Sequence, residues 1–145
     1  MSKGAAGKDS LERLVIHLLH RAVQRGDEIF GEEIGETNLT ARQYAVLASV
    51  AQSENPSQTD LVETTGIDRS TLADLVRRLV RKGLLQRRRR KDDARAYAVR
   101  LTDAGHRVLE LAERAALRAD ARVTASLAGD KRRAFIEALK TIRNS

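Results

Sequence analysis

Residues 57–90 have the sequence SQTDLVETTGIDRSTLADLVRRLVRKGLLQRRRR, and this stretch decides the fold. Ser57 is a favourable N-cap residue and Asp60 follows in the first turn, so a short helix is predicted up to about Thr65. Gly66 can adopt the left-handed conformation that ends a helix. A second helical pattern begins directly after this turn, and the two helices together predict a helix-turn-helix.

The second helix of this unit is predicted between Asp68, which can cap its N-terminus, and Gly83. At 100° per residue its apolar side chains share one face, namely Leu72, Leu75, Val76, Leu79 and Val80. The opposite face carries Ser70, Asp74, Arg77 and Arg81, flanked by Thr71 and Arg78. Hydroxyls and arginines can bind base edges and phosphates in the major groove, although a merely solvated face is the alternative. The carboxylate of Asp74 either orients the arginines or accepts a hydrogen bond from a cytosine amino group.

A β-hairpin with a charged tip is predicted next, with strands over residues 84–90 and 96–101, because residues 97–101 alternate with a period of two. Arg87 to Lys91 are five consecutive cations, which repel each other unless a polyanion is near. On a hairpin beside the second helix they would form a wing whose arginines enter the minor groove, with Asp93 pairing with one of them. A disordered basic segment is the alternative.

The positive charge of the chain is a local patch. Between Arg77 and Arg100 eleven Lys/Arg stand against two Asp, a local charge of +9, whereas the whole chain has a formal net charge of +7. The remainder therefore sums to −2. A dense cationic patch beside a helix-turn-helix indicates nucleic-acid binding. With two Tyr, two Phe and no Trp, single-strand recognition by base stacking is disfavoured, and double-stranded DNA is the expected partner.

Helices are predicted on both sides of this unit. Apolar residues at three and four spacing predict a first helix over residues 11–34, and Thr40 with Gln43 predicts a capping box for a second helix. A long helix is expected over residues 102–127, with Gly129 breaking it before a last helix. The expected fold is mainly α with a small β-hairpin wing.

Composition limits the class of protein further. The chain has 145 residues, 41% of them hydrophobic, which is enough for a core. It has no cysteine, and no apolar run approaches the roughly 20 residues needed to span a bilayer. Residues 1–9 are small and polar, so we expect a flexible tail rather than a secretory signal, and a cytoplasmic location. No nucleophile–base constellation or phosphate-binding glycine loop is present, so neither an enzyme nor a cofactor is expected.

Several stretches carry a resemblance to a known family. They are Leu39-Thr-Ala-Arg-Gln-Tyr-Ala-Val-Leu47, Ser57-Gln-Thr-Asp-Leu61, Thr65-Gly-Ile-Asp-Arg-Ser-Thr-Leu72, Leu79-Val-Arg-Lys-Gly-Leu-Leu85, Asp93-Ala-Arg95, and Val99-Arg-Leu-Thr102 with Gly105. In these stretches the chain resembles the MarR family of winged helix-turn-helix transcription regulators. The run of adjacent arginines on the wing departs from many relatives and suggests stronger salt dependence.

The resemblance implies a homodimeric repressor that binds a pseudo-palindromic operator and is released by a small ligand. It implies a DNA-binding domain at 37–102 and a helical dimerisation region formed by 10–36 and 103–145. The expected DNA-binding residues are Ser57, Gln58, Arg69, Ser70, Thr71, Asp74, Arg77, Arg78, Arg81, Arg88, Arg89, Arg90, Lys91, Asp93 and Arg95. A DNA-binding protein that is architectural and senses no ligand is the alternative.

The terminal helices carry apolar stripes that one small core would not cover. Packing of the first helix on the fifth within one chain is one interpretation, and an intertwined dimer is the favoured one. The expected dimer-interface residues are Leu11, Leu14, Val15, Leu18, Val123, Leu127, Phe135, Leu139 and Ile142.

The resemblance also implies a ligand pocket where the first, second and fifth helices meet. Its candidate residues are His17, His20, Arg21, Phe30, Arg42 and Tyr44. Cations beside aromatic rings would suit an aromatic or phenolic acid or its CoA thioester, although Phe30 and Tyr44 are equally compatible with core packing. His17 and His20 have a spacing that permits metal chelation, but without cysteine or a clear third ligand no metal site is expected.

Overall fold

The computed structural model describes residues 9–92 and 97–145. Within these residues, six α-helices of eight residues or more and one antiparallel hairpin follow one another, which confirms the predicted fold class. The helices are α1 (Val15–Ile34), α2 (Ala41–Gln52), α3 (Gln58–Thr65), α4 (Arg69–Arg81), α5 (Asp103–Val123) and α6 (Gly129–Asn144). The strands β1 (Leu85–Arg89) and β2 (Tyr97–Leu101) lie between α4 and α5. A 3-10 turn at Gly35–Thr37, which the sequence pattern did not predict, joins α1 to α2.

The N-terminal caps follow from local sequence. The backbone N–H of Gln43 donates to Thr40 Oγ1, and the N–H of Thr40 donates to Gln43 Oε1, both at 3.1 Å. Ser57 and Asp60 form the same reciprocal pair at 3.1 and 2.8 Å. The carboxylate of Asp68 accepts a backbone N–H of α4 at 3.0 Å. These three predicted caps are confirmed, and they fix where α2, α3 and α4 begin.

The core of the helix-turn-helix unit lies between α2, α3, α4 and the hairpin. Gly66 ends α3 with a φ of 69°, as predicted, and so turns α4 onto the same core. Its largest fully buried side chains are Leu47, Leu61, Leu72, Leu79, Leu85, Val46, Val76 and Val99. Each contributes roughly 1.5–3 kcal/mol relative to an exposed position. This burial fixes which face of α4 points outward.

The first turn of α5 packs directly on the backbone at the start of the hairpin. Thr102 caps α5, with its hydroxyl oxygen accepting the N–H of Gly105 at 3.0 Å. The N–H of Thr102 donates to the carbonyl oxygen of Leu84 at 3.1 Å. A Cβ atom on Gly105 would collide with that same oxygen. Only a glycine permits this approach, so the junction between hairpin and α5 is closely packed.

Helix α1 packs along α5 within the same chain. The carboxylate of Glu33 accepts from Arg118 at 2.9 Å and from Arg122 at 3.0 Å, while Glu32 accepts from Arg122 at 2.7 Å. These hydrogen bonds, the one from Arg118 first, hold the pKa of Glu33 below its ordinary value. The intramolecular packing considered for the terminal helices is therefore present.

This packing leaves the outer apolar stripes uncovered. Helix α6 has no buried residue, although Arg132 pairs with Asp120 of α5. Of the nine expected dimer-interface residues Leu127 is half-buried, and the following are exposed: Leu11, Leu14, Val15, Leu18, Val123, Phe135, Leu139 and Ile142. A single copy of the chain therefore presents a large apolar surface at its two ends.

Several predicted boundaries were wrong. Helix α1 begins at Val15 rather than Leu11, because Leu14 has an extended backbone (φ −85°, ψ 111°) that separates it from a helical turn at residues 9–11. The strand over 84–90 is shorter, spanning residues 85–89. The other predicted strand began at residue 96, which lies outside the described residues.

The end of α5 was also predicted incorrectly. The helix ends at Val123 rather than Leu127, because the hydroxyl of Thr124 donates to the carbonyl of Asp120 at 3.0 Å and its backbone leaves the helical region (φ −105°, ψ 13°). Gly129 does not break a helix but is the first residue of α6.

We expect Gly105→Ala to destabilise the fold by about 1–3 kcal/mol, because the new methyl group collides with a backbone carbonyl that cannot rotate away. Gly26→Ala is the matched control, since a Cβ on this α1 glycine would meet nothing within 4 Å. It should stabilise the helix by up to about 1 kcal/mol. Urea unfolding followed by circular dichroism measures both, and equal stability of the two variants would contradict the junction described above.

Candidate DNA-binding surface

The outward face of α4 is defined by what the helix buries. Leu72, Val76 and Leu79 are fully buried, and about half a turn away Ser70, Arg77 and Arg81 are exposed. Thr71 and Asp74 are half-buried and Arg78 is exposed at the edges of this face. The structure thus places the hydroxyls at the N-terminal end of the face and the guanidinium groups farther along it, as helical geometry requires.

Asp74 pairs with the arginines one turn farther along α4. Its carboxylate oxygens lie 2.9 Å from Arg78 Nε and 3.6 Å from Arg77 Nη2. Exposed pairs of this kind contribute at most about 1 kcal/mol to stability. Their effect is on orientation, because a guanidinium held by a carboxylate samples fewer directions. Of the two roles considered for Asp74, the geometry corresponds to orienting the arginines.

The N-terminal end of α3 lies beside α4 and the hairpin. Arg69 Nη1 donates to Thr59 Oγ1 at 3.2 Å and so joins the start of α4 to α3. An open groove runs between these helices and the wing. It is lined by Ser57, Gln58, Thr59, Ala73, Arg77, Arg87, Tyr97 and Val99. The groove therefore brings hydroxyl, amide and guanidinium groups from three elements together.

The pleat of the hairpin separates the wing arginines into two sets. Arg87 is opposite Val99 and Arg89 is opposite Tyr97, whereas Arg88 is opposite Ala98. Successive side chains of a strand point to opposite faces. Arg87 and Arg89 consequently share a face with the exposed ring of Tyr97, and Arg88 shares the other face with Arg100. Of the first set, Arg87 and Tyr97 line the groove.

The base of the wing is held by the loop before α3. The N–H of Val99 donates to the carbonyl oxygen of Pro56 at 2.8 Å, and Arg100 Nε donates to Asn55 Oδ1 at 2.7 Å. Asn55 has a φ of 49°, a left-handed conformation that asparagine tolerates better than most residues. The wing therefore extends from a fixed base toward its tip at Arg90 and Lys91.

The sequence prediction for the wing was incomplete. The run from Arg87 to Lys91 was placed on the wing, but Arg87 and Tyr97, both of which line the groove, were left out of the expected DNA-binding residues. Applying the period of two to β1 as well as to β2 would have found them. The predicted residues Asp93 and Arg95 lie outside the described residues.

The candidate ligand-pocket residues do not all come together within one chain. The rings of Phe30 and Tyr44 pack with centroids 5.9 Å apart and planes inclined at 42°. Burial first, and the charge of Glu113 second, raise the pKa of Tyr44. His17 and His20 lie on the same helix as Phe30 but roughly 20 and 15 Å from it along the axis, at 1.5 Å per residue.

The two arginines of that set lie elsewhere. Arg21 is exposed on the N-terminal half of α1. Arg42 borders a surface depression beside the turn at Gly66 and Asp68. Among residues 9–92 and 97–145, no group of three or more His, Cys, Asp or Glu could hold a metal ion. Within the same ranges no helix is long and apolar enough to cross a membrane.

The winged helix-turn-helix geometry agrees with comparisons to known proteins. The model of the MarR family matches residues 39–97, from the start of α2 to the wing. The regulator BpsR of Bordetella bronchiseptica is 30% identical, with a TM-score of 0.86 over 92% of this chain and 95% of its own. The chain belongs to the MarR family. As a member, it is a DNA-binding transcriptional regulator.

Two other members of the MarR family are similar to this chain. The HTH-type transcriptional repressor NicR of Pseudomonas putida is 32% identical over 65% of this chain, and the alignment spans only 60% of NicR. The transcriptional repressor CouR, solved bound to a 23-mer DNA duplex, is 32% identical. Its TM-score is 0.83 over 92% of this chain and 94% of CouR. The structure of BpsR concerns regulation of its DNA binding by 6-hydroxynicotinic acid.

We expect Arg77→Ala to weaken binding to a preferred duplex by about 1–3 kcal/mol and to relax sequence preference at one position per half-site, because a bidentate contact to guanine would be lost. Arg107→Ala is the charge-matched control, since Arg107 is exposed on α5, outside the groove. Selection from a randomised duplex pool, followed by titration, measures both effects. Equal loss on every sequence would place Arg77 on phosphate instead.

Proposed function

We propose that this chain forms a homodimeric repressor that binds a pseudo-palindromic operator and is released by a small aromatic acid or its CoA thioester. The observation that carries this proposal is the separation of two surfaces on one chain. A cationic face is formed by α4 and the wing, and an uncovered apolar surface is formed by the terminal helices. The first suits DNA and the second suits a second copy of the chain.

In this proposal residues 37–102 form the DNA-binding domain, and residues 10–36 with 103–145 form the dimerisation region. Ser70, Thr71 and Arg77 would contact base edges in the major groove, while Ser57, Gln58 and Arg69 would contact the backbone. Arg87, Arg88, Arg89 and Lys91 would supply wing contacts. Two copies would place their α4 helices in half-sites about 10 base pairs apart.

The proposed effector class rests on chemistry and on similarity. The rings of Phe30, which is buried, and Tyr44, which is half-buried, pack between α1 and α2 and would form the aromatic wall of a ligand site. The similar regulator BpsR responds to 6-hydroxynicotinic acid, an aromatic acid. Release would be a population shift, which requires the ligand to bind the DNA-free state more tightly than the DNA-bound state.

We expect the protein to prefer a duplex selected from a random pool over bulk DNA by about 10³-fold or more. Competition titration of the selected duplex against a scrambled duplex of the same composition measures this ratio at fixed salt. Displacement by both competitors at equal concentration would support an architectural DNA-binding protein and would end the repressor proposal.

We expect Leu139→Asp to convert the dimer to a monomer, because a carboxylate would be buried at the apolar stripe of α6. Thr141→Asp is the matched control: Thr141 is an exposed residue of the same helix that lies outside the stripe formed by Phe135, Leu139 and Ile142. Sedimentation velocity reports the mass of each variant. The proposed interface would be contradicted if the wild type were a monomer or if the Leu139→Asp variant remained a dimer.

A further inference from the structure

Arg90 at the wing tip differs from its neighbours in the run of cations. Its Nε and Nη2 atoms donate to the two carboxylate oxygens of Asp92, both at 3.2 Å. Its Nη1 atom lies 3.9 Å from Asp60 Oδ2. The side chain is 31% exposed, although it belongs to a charged hairpin tip. Arg90 therefore lies between two carboxylates that come from different parts of the chain.

The second of these carboxylates belongs to the helix-turn-helix rather than to the wing. Asp60 Oδ2 also accepts the backbone N–H of Ser57 at 2.8 Å, in the capping box of α3. The pKa of this carboxylate is lowered, mainly by the hydrogen bonds with Ser57 and to a smaller extent by the charge of Arg90. A single oxygen thus accepts a hydrogen bond at the end of α3 that presents Ser57 and Gln58 to the groove, and lies within ion-pair distance of the wing tip.

The surroundings of Arg90 are unfavourable for binding a phosphate. One guanidinium faces two carboxylates, so the group of three carries a net negative charge. These two carboxylates weaken the attraction that the neighbouring Arg89 and Lys91 would give a phosphate at this position, and two of the guanidinium donors already bind Asp92. Exposed ion pairs contribute little to stability, so the arrangement is better explained by orientation than by folding.

We propose that Arg90 is a positioning residue, which holds the wing tip against α3 through Asp60 and does not itself bind DNA. Arg87 and Arg89 then meet the DNA in a fixed relation to α4. This inference rests on the proposed operator binding. It reassigns one cation that the sequence alone placed among the DNA contacts.

The direction in which one substitution changes DNA affinity distinguishes a phosphate contact by Arg90 from a positioning role. Asp60→Asn removes a negative charge from the DNA-binding surface while its amide oxygen can still accept the N–H of Ser57. If Arg90 bound phosphate directly, this change would free it and tighten DNA binding. If Arg90 acts through Asp60, the same change releases the wing tip and weakens binding to the preferred duplex.

The experiment is a double-mutant cycle on the full-length protein with Arg90→Gln and Asp60→Asn, using a duplex selected by the wild type and a scrambled duplex. We expect each single variant to lose about fivefold or more on the selected duplex and the double variant to lose no more than either. Both should lower the ratio of selected to scrambled binding. Arg89→Gln is the matched control: it removes the same charge, weakens binding to both duplexes alike and is additive with Asp60→Asn.

Tighter binding by Asp60→Asn, no change on this substitution, or a full additional loss in the double variant would overturn the inference. Circular dichroism and thermal unfolding of each variant establish that the fold is retained. If the wild type itself shows no preference between the two duplexes, the proposed operator binding fails. If the wild type shows a clear preference and the affinity losses of the two substitutions are additive, only the positioning role of Arg90 is contradicted.

Discussion

The close approach of Gly105 to the carbonyl oxygen of Leu84 is the constraint that fixes how the hairpin and the helix-turn-helix are arranged relative to helix α5. It lets the first turn of α5 pack on the backbone that begins the hairpin, with Thr102 bonded to both sides of the junction. Helix α5 then continues along α1 toward the chain ends. Because no loop intervenes between β2 and the cap of α5, a displacement of α5 must move the wing or strain this contact.

Carboxylate and amide oxygens distributed among the arginines decide what the cationic patch can do. Asp74 orients two arginines of α4, Asp92 holds Arg90, and Asn55 holds Arg100 through its amide oxygen. A count of charges over this region treats all its cations as equivalent. The contacts show that several are directed by neighbouring groups. The geometry of the patch, more than its net charge, is therefore the property on which sequence preference would depend.

Local features of the chain were predictable because they depend on residues close in sequence. The capping boxes at Thr40 and Ser57 and the left-handed Gly66 follow from three or four neighbouring residues each. The start of α1 and the end of α5 did not follow, because Leu14 and Thr124 leave the helix within a continuous apolar pattern. No periodic rule indicates such breaks.

The candidate DNA-binding site could be predicted from the sequence as a surface but not as a set of contacts. Arg90 and Asp60 are thirty positions apart, and their pairing depends on how the hairpin lies on α3. The importance of Gly105 was visible only as a resemblance, and its cause is a backbone oxygen 21 positions earlier. The candidate pocket residues share the right chemistry, but helix α1 is too long to bring His17 near Phe30.

The position of the aromatic pair indicates how a ligand could act on DNA binding. Phe30 on α1 packs against Tyr44 on α2, and Glu33, one turn beyond Phe30, is fixed to α5 through Arg118 and Arg122. A ligand that separates the rings would therefore displace α1 and strain its contact with α5. Helix α5 begins at the junction with the hairpin, so the same displacement would reach the wing. To shift the ratio of the displaced to the undisplaced state from 1:99 to 99:1, such a ligand would need to bind the displaced state about 10⁴-fold more tightly.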